Sequence, residues 1–444
     1  MSRPEAGPKD RPAVPAPPPA RRRQARRALV AASVGNFVEW YEFGVYGAFA
    51  TVIAARFFTP EGGDRTEALI GTYAAFAVAF FFRPLGALLF GRFADRAGRR
   101  PALIAAVCLM SGATALIGLL PAYSAIGAAA PWVLTLLRAV QGLSAGGEFG
   151  GAVSIVTESA PPGRRGRHGA WQSFTVALGL LAGAGAAAGL ATVLSESALH
   201  AWGWRVPFLL ALPMGAVALW LRLRLPEPNA RTSAITPITA TVPTPGELRP
   251  ARAIPLGIAR IMGWSAAGYT FLVVLPSYLQ ATLGTSFQHA LIATCLANAG
   301  FAAAVLPAGS LSDRLGRRAV MLAGSVLVVL FAVPLLHQLR APGVPVAVKA
   351  ALLVAAGATI GLLAGPGPAL LAEMFPTRVR STGLGVAYAL SNAVFSGCAG
   401  LIVTALVRHT GNPDIPALYA AGACAAAVPA LLTLRPDDHQ RPLR

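Results

Sequence analysis

Twelve stretches of the chain are dominated by apolar residues: 28–56, 66–91, 101–121, 130–158, 168–194, 204–225, 253–283, 286–311, 318–339, 345–374, 380–408 and 413–434. Each is at least as long as the ~20 residues that a helix needs to cross a bilayer, and the longer ones leave room for tilt. The breaks between them are short, with one exception. Residues 226–252, PEPNARTSAITPITATVPTPGELRPAR, are rich in Pro and Thr and divide the runs six and six. The pattern predicts an all-α polytopic membrane protein with twelve transmembrane helices in two six-helix bundles, 28–225 and 253–434, joined by a linker at 226–252. Residues 1–27, Pro- and Arg-rich and without a small-residue cleavage site, read as a disordered basic tail, and 435–444 as a second tail.

Composition supports that reading. Of the 444 residues 55% are hydrophobic and 12% charged, roughly half the charged share of an average soluble domain. A disordered chain is excluded and an ordinary soluble enzyme disfavoured. The net charge of +19 would point to nucleic acid in a soluble protein, but position decides otherwise. Arginines cluster in the first 27 residues, at Arg92, Arg96, Arg99 and Arg100, at Arg164, Arg165 and Arg167, around 222–252, at Arg314, Arg317 and Arg318, at Arg378 and Arg380, and after 434. Every cluster follows an even number of apolar runs, zero included. By the positive-inside rule both termini are expected in the cytoplasm, in a bacterial-type inner membrane, with lipid and not nucleic acid as the partner. Cys108, Cys295, Cys398 and Cys424 lie inside apolar runs without metal-ligand spacing and read as small buried hydrophobes.

The two halves repeat. GRFADRAGRR at 91–100 matches GSLSDRLGRR at 309–318, so that Asp95 and Asp313 correspond at an offset of 218. Glu158, Pro161 and Arg165 return as Glu373, Pro376 and Arg380 at an offset of 215. A direct repeat of six helices implies two bundles related by an axis along the membrane normal, with a site between them near mid-membrane.

Charges inside apolar runs cost roughly 2.5–3.5 kcal/mol each on insertion scales, so each calls for a partner or a wet cavity. Gly35, Glu39, Glu42 and Tyr46 share one face of the first helix. Glu39 falls ~16 Å from Ala28, close to mid-membrane. Two carboxylates one turn apart at low dielectric cannot both stay ionised comfortably, so one of them is a candidate proton carrier. The alternative is a structural ion pair with Arg83 or Arg138. Arg138, Gln141 and Glu148 occupy one sector of the fourth helix. The planar fork of Arg138 or Arg83 suits a carboxylate, which favours an organic-anion substrate; Arg83 is alternatively part of the inner gate.

In the second half Tyr269, Pro276 and Gln280 share a face of helix 7, while Asn298 and Asn392 are the polar outliers of helices 8 and 11. Tyr46, Arg138, Gln141, Tyr269, Asn298 and Asn392 are therefore the candidate substrate residues, and Glu39, Glu42 and Glu148 the candidate proton-coupling residues. Trp40, Trp171, Trp202, Trp204 and Trp264 read as packing or interfacial residues. The glycines at 146–147 and 150–151 read as close helix packing, because no strand precedes them and no Lys-Ser/Thr follows. The gate candidates are Arg83, Asp95, Arg96, Arg99, Glu158, Asp313, Arg314, Arg317, Glu373 and Arg380. Their carboxylates are placed to meet loop arginines and a helix N-terminus of the other half.

At these residues the chain resembles the major facilitator superfamily, whose loop signature is the GRFADRAGRR string. GNFVEWYEFGVYG (35–47), RPLGALLFGRFADRAGRR (83–100), RAVQGLSAGGEFGGA (138–152), WGWRVPFLLALP (202–213) and AEMFPTRVRSTG (372–383) resemble its metabolite:proton symporter branch, which includes proline/betaine, α-ketoglutarate, citrate and shikimate carriers. The resemblance runs from about 28 to 434 and implies a part in proton movement for Arg138. Members commonly carry Asp where this chain has Glu42, and Cys398-Ala399-Gly400 lacks the small-Pro pattern common in helix 11.

Together these readings predict a secondary active transporter that takes up a small polar metabolite, an organic anion or zwitterion, with protons by alternating access. It is expected to act as a monomer, without a cofactor, driven by the proton gradient. Proton-coupled efflux is the alternative. A metalloenzyme is disfavoured by the lack of His/Cys/Asp metal spacing, and a channel or receptor by the paired gate motifs.

Overall fold

The computed structural model describes residues 19–60, 63–146, 148–161, 163–224, 250–377, 379–435, 437–440 and 443. The tail up to residue 18 and most of the expected linker lie outside the described residues, as do the side chains of Asp95, Arg99 and Glu148. Twelve helical segments are built from the described residues: α1 (Pro19–Ala48), α2 (Arg65–Ala97), α3 (Arg99–Leu119), α4 in two pieces (Ala129–Ala145 and Glu148–Glu158), α5 (Arg165–Val193) and α6 (Glu196–Leu223), then α7 (Arg252–Ala281), α8 (Phe287–Leu315), α9 (Arg317–Arg340), α10 (Val346–Met374), α11 (Arg380–Thr410) and α12 (Ile415–Leu432). Ten of them are long and apolar enough to cross a membrane as they stand. The other two are α1, whose first turns are basic, and α4, which breaks at Gly146.

Helix α1 starts earlier than expected. Residues 19–27, expected in the tail, are helical, because Ala, Arg and Gln are strong helix formers and Pro19 fits a first turn. Local chemistry sets other boundaries. The Asp64 carboxylate accepts from the Thr66 amide at 2.8 Å and starts α2. Gly98 and Gly316, with φ of 97° and 89°, make the sharp turns between α2 and α3 and between α8 and α9. They stand at equivalent places in the repeat, where a side chain would strain the backbone.

The repeat also governs packing. A Cβ on Gly142 of α4 would collide with the carbonyl of Ala79 on α2. A Cβ on Gly357 of α10 would collide with the carbonyl of Ala297 on α8. The glycines are 215 residues apart and the alanines 218, so each half carries the same backbone-to-backbone crossing. Small residues allow such an approach where water supplies no drive for helix association. Gly142→Ala and Gly357→Ala are each expected to cost about 1–3 kcal/mol through overpacking. Gly112→Ala, whose Cβ meets nothing within 4 Å, should cost nothing. The melting temperature of the purified protein in detergent distinguishes the three.

Aromatic residues fill the core: Phe43, Phe49, Phe57, Phe76, Phe80, Trp204, Phe208 and Phe301 are all buried. Trp132, Leu136 and Phe331 point outward, as a lipid-facing surface allows. Cys424 is buried, whereas Cys108 is on the outer surface of α3.

Candidate substrate and proton site

Among the described residues, four charged side chains are buried together in the first bundle: Glu39 and Glu42 on α1, Arg83 on α2 and Arg138 on α4. Glu39 and Arg83 form an ion pair at 2.9 Å. Glu42 turns the other way, into the bundle. Its carboxylate accepts from Thr114 Oγ1 at 2.5 Å and from Ser111 Oγ at 3.2 Å, both on α3. Thr114 accepts in turn from Gln141 Nε2 at 2.6 Å, and Gln141 Oε1 accepts from Arg138 Nη1 at 2.6 Å. A continuous relay therefore joins Glu42 to Arg138 through one amide and one hydroxyl. Both guanidinium groups stack on aromatic rings. Arg83 and Arg138 lie on Phe43, each 4.8 Å from its centroid. Phe80 covers Arg83 at 4.5 Å, and Tyr46 covers Arg138 at 4.3 Å. Desolvated cation–π contacts of this kind offset part of the cost of burial.

Beside this cluster, between the bundles, is a cavity of about 30 Å³ lined by Trp40, Ser173, Trp264, Ser265, Tyr269, Phe301, Tyr388 and Asn392 among others. Trp40 brings the two features together. It packs against Tyr269 at 6.0 Å and against the Arg83 guanidinium at 5.6 Å. The Tyr269 hydroxyl is buried without a hydrogen-bond partner. Helices α7 and α11 each carry a π-helical segment beside the cavity, Thr270–Val274 and Asn392–Gly397, a distortion frequent at functional sites.

Both ends of the cavity are closed. At the end that carries the arginine clusters, the repeats exchange partners. Glu158 of the first half accepts from Arg380 Nη1 of the second at 2.5 Å, and Glu373 of the second accepts from Arg165 Nη1 of the first at 3.3 Å. Arg317 reinforces Glu373 at 3.0 Å. The Asp313 carboxylate accepts from the backbone amides of Gly166 and Arg167 at 2.7 and 2.9 Å, capping the N-terminus of α5 in the other half. At the opposite end the contacts are mostly neutral. Tyr73 and Ser277 share a hydrogen bond of 2.6 Å, and Thr51 donates to Gln280 at 2.9 Å. Phe49 meets Phe287 at 5.8 Å. One exposed ion pair, Asp64–Arg408 at 2.8 Å, joins them.

Two family models match the chain: "Sugar (and other) transporter" over residues 28–229 and "Major Facilitator Superfamily" over 256–444. The alpha-ketoglutarate permease of Escherichia coli is 36% identical over 85% of this chain and 87% of its own length. The chain belongs to the major facilitator superfamily, in its metabolite:proton symporter branch. Other relatives of this superfamily member are an ectoine/proline transporter of Corynebacterium glutamicum, 35% identical over 95% of this chain and 86% of the relative, and a citrate-proton symporter of Klebsiella pneumoniae, 33% identical over 88% of each. A crystal structure of a D-xylose-proton symporter shares the fold, with a TM-score of 0.73 and 19% identity over 95% of this chain and 100% of that one. This is a family of multi-pass membrane transporters and not of enzymes.

Within this facilitator fold the candidate residues fall in different places. Tyr269 and Asn392 line the cavity. Tyr46 does not; its hydroxyl donates to the Thr72 carbonyl at 3.0 Å inside the first bundle. Arg138 and Gln141 belong to the relay. Asn298 spends its amide on the carbonyls of Leu272 and Thr294, an interhelical bond typical of membrane bundles. Arg83 is the partner of Glu39 in the core and not a member of the closed end. Glu158, Asp313, Arg317, Glu373 and Arg380 do meet at that end, while Arg96 and Arg314 face outward. Trp40, Trp264 and Tyr388 also line the cavity, beyond the residues the sequence points to. Helical register gave a signal for one of them, since Tyr388 stands one turn before Asn392.

Proposed function

We propose that this transporter imports a small polar metabolite, an organic anion or zwitterion, together with a proton, and that Glu42 carries the proton. The observation that carries the reading is the division of labour within the cluster. Glu39 is already matched by a cation at 2.9 Å, whereas Glu42 is held by hydroxyls, which serve either charge state. When Glu42 is ionised, Thr114 donates to it. When Glu42 is protonated, its own O–H donates to the Thr114 oxygen, and the Thr114 hydrogen turns to the Met110 carbonyl 3.0 Å away. A hydroxyl with one donor and two acceptor sites permits that reversal without moving a helix. The Arg138 end of the relay registers the change, because the anion nearest its partner appears or vanishes.

The closed ends supply the rest of the cycle. The bundles 28–225 and 253–434 rock about the cavity, releasing the ionic cross-links at one end and the neutral ones at the other in turn. The end with the arginine clusters is cytoplasmic, as are both termini and residues 226–252, in a bacterial inner membrane like that of the Escherichia coli inner membrane metabolite transport protein, which is 34% identical. A monomer contains the whole route. In a cysteine-free background, single cysteines at Thr236 and Ala128 should react from the inside and the outside of cells respectively; outside labelling of Thr236 overturns this topology.

Uptake into proteoliposomes tests the function. Imposing an alkaline interior should drive accumulation of the transported carboxylate or zwitterion. Expulsion under the same gradient shows the antiport alternative, and indifference to the gradient removes proton coupling.

A further inference from the structure

A second cavity, of about 20 Å³, lies inside the first bundle. Glu39, Ser111, Ser144 and Arg222 form its polar wall, and Val38 and Val107 are among its apolar lining. No residue lines both this cavity and the one between the bundles. Four helices fix its depth. On α1 and α3, which enter from the end with the arginine clusters, Val38 precedes Glu42 and Val107 precedes Ser111. On α4, which runs the other way, Ser144 follows Gln141. Arg222 stands in the last turn of α6 and donates to the Leu103 carbonyl on α3. Its chain neighbour Leu223 accepts from Arg100, a member of one arginine cluster. The cavity therefore lies in the interval between Glu42 and the cluster-bearing end.

Its size and chemistry suit one water molecule, which needs about 10–15 Å³ and two to four polar partners. Ser111 donates to Glu42 at 3.2 Å and Ser144 to the Gln141 carbonyl at 2.7 Å. Each hydroxyl oxygen can still accept, and the Glu39 carboxylate adds further acceptor sites. A proton on Glu42 has two hydroxyls beside it. Thr114 leads to the Gln141 amide and then to Arg138, neither of which takes up a proton. Ser111 leads to the cavity, and a hydroxyl accepts one proton while giving up another. Around the cavity Val38 and Val107 pack with Ala218 as an apolar collar. That collar leaves room for one water and not for a column of them.

We propose that the Glu42 proton leaves towards the cytoplasm inside the first bundle, through Ser111 and a water in this cavity, while the substrate leaves between the bundles. The proposal rests on Glu42 as the proton carrier. The transfer needs no co-reactant. The acid proton passes to Ser111 Oγ as the Ser111 hydrogen passes to the water, which hands one of its own to solvent past Arg222. Glu42 is left as the carboxylate, and Ser111 and the water are unchanged. Glu42 takes its next proton from the opposite side when the bundles open there. One bundle alone builds this route, so rocking neither makes nor breaks it. The collar is what keeps protons from running through.

Widening the collar tests the route without any substrate. The readout is proton influx into proteoliposomes with an alkaline interior, followed by a pH-reporting dye in the lumen, with potassium and valinomycin to balance charge. Val107→Ala on α3 removes two methyl groups, enough space for about one further water, and should raise the influx severalfold over the unmodified protein. Val38→Ala on α1 should do the same. Adding Glu42→Gln to either should return the influx to the unmodified level, because the route then has no acid at its inner end. Val328→Ala, the same truncation at a buried position of the second bundle, should leave the influx unchanged. Collar variants that keep their melting temperature and stay proton-tight overturn the route. So does an influx that survives Glu42→Gln, or one that Val328→Ala matches. If Glu42→Gln alone still supports uphill accumulation, the carrier assignment falls and the route with it. If Glu42→Gln uncouples transport while both collar variants stay tight, the route falls alone.

Discussion

Glu42→Gln should abolish uphill transport while sparing exchange. A pH difference of one unit is worth about 1.4 kcal/mol per coupled proton and supports roughly tenfold accumulation. Without a titrating group at position 42 that ratio should fall to about one. The amide keeps the size of the side chain and can still bond to Thr114 and Ser111, so the relay and the fold survive. Counterflow at equal pH, which needs no net proton movement, should therefore continue. Glu39→Gln should behave differently. It leaves Arg83, 4% exposed, without its counter-charge, and breaking a buried pair this way costs about 3–5 kcal/mol. Its signature is a lower melting temperature and loss of both uptake and exchange. If Glu39→Gln is instead stable and selectively uncoupled, the two carboxylates have been assigned the wrong way round. If Glu42→Gln still accumulates substrate uphill, the proton travels elsewhere.

Which charged residues lie inside the helices was legible in the sequence, and how they pair was not. A charge inside an apolar run stands out because insertion penalises it, so Glu39, Glu42, Arg83 and Arg138 could be picked from the sequence. Whether Glu39 meets Arg83 or Arg138 depends on helix rotation and crossing, which the pattern leaves open. Here the crossing is set by the Gly142–Ala79 and Gly146–Arg83 approaches between α4 and α2. Glu42 and Glu39 share a helical face by spacing, yet three residues along a helix turn the side chain enough for one to reach α2 and the other α3. The cavity wall was hidden for a different reason. Trp40, Trp264 and Tyr388 are residues that membrane helices also use for packing and at the lipid interface, so their type carries no site signal. The closed end was the most readable part, because duplication displays it twice. The 215-residue offset puts Glu158 and Arg165 beside the positions of Glu373 and Arg380, and the structure joins each repeat's acid to the other repeat's arginine.

That exchange makes Glu373 the most consequential single residue of the closed end. It holds Arg165 of the first half at 3.3 Å and Arg317 of its own at 3.0 Å, and all three side chains are at least nine-tenths buried. Glu373→Gln leaves two guanidinium groups facing a neutral amide only while this end is closed; once it opens, water solvates them. Part of the ~3–5 kcal/mol cost of an orphaned buried charge therefore falls on the closed state alone. Every ~1.4 kcal/mol of it moves the conformational ratio tenfold. The expected result is a shift of at least tenfold towards the form open at this end, with transport cut sharply because the opposite form is scarce. Glu158→Gln should shift it less. The Glu158 side chain is 41% exposed, so water weakens the pair, and the buried Arg380 keeps the carbonyls of Ala372 and Phe375 as acceptors when Glu158 is neutralised. Spin labels at Arg92 and Leu315, both exposed near this end of α2 and α8, report the separation directly. Glu373→Gln should populate a longer distance that the unmodified protein lacks, and Glu158→Gln should populate it weakly. Identical distance distributions in all three proteins, with transport lost only in Glu373→Gln, would place Glu373 in the fold or the substrate path and remove it from the gate.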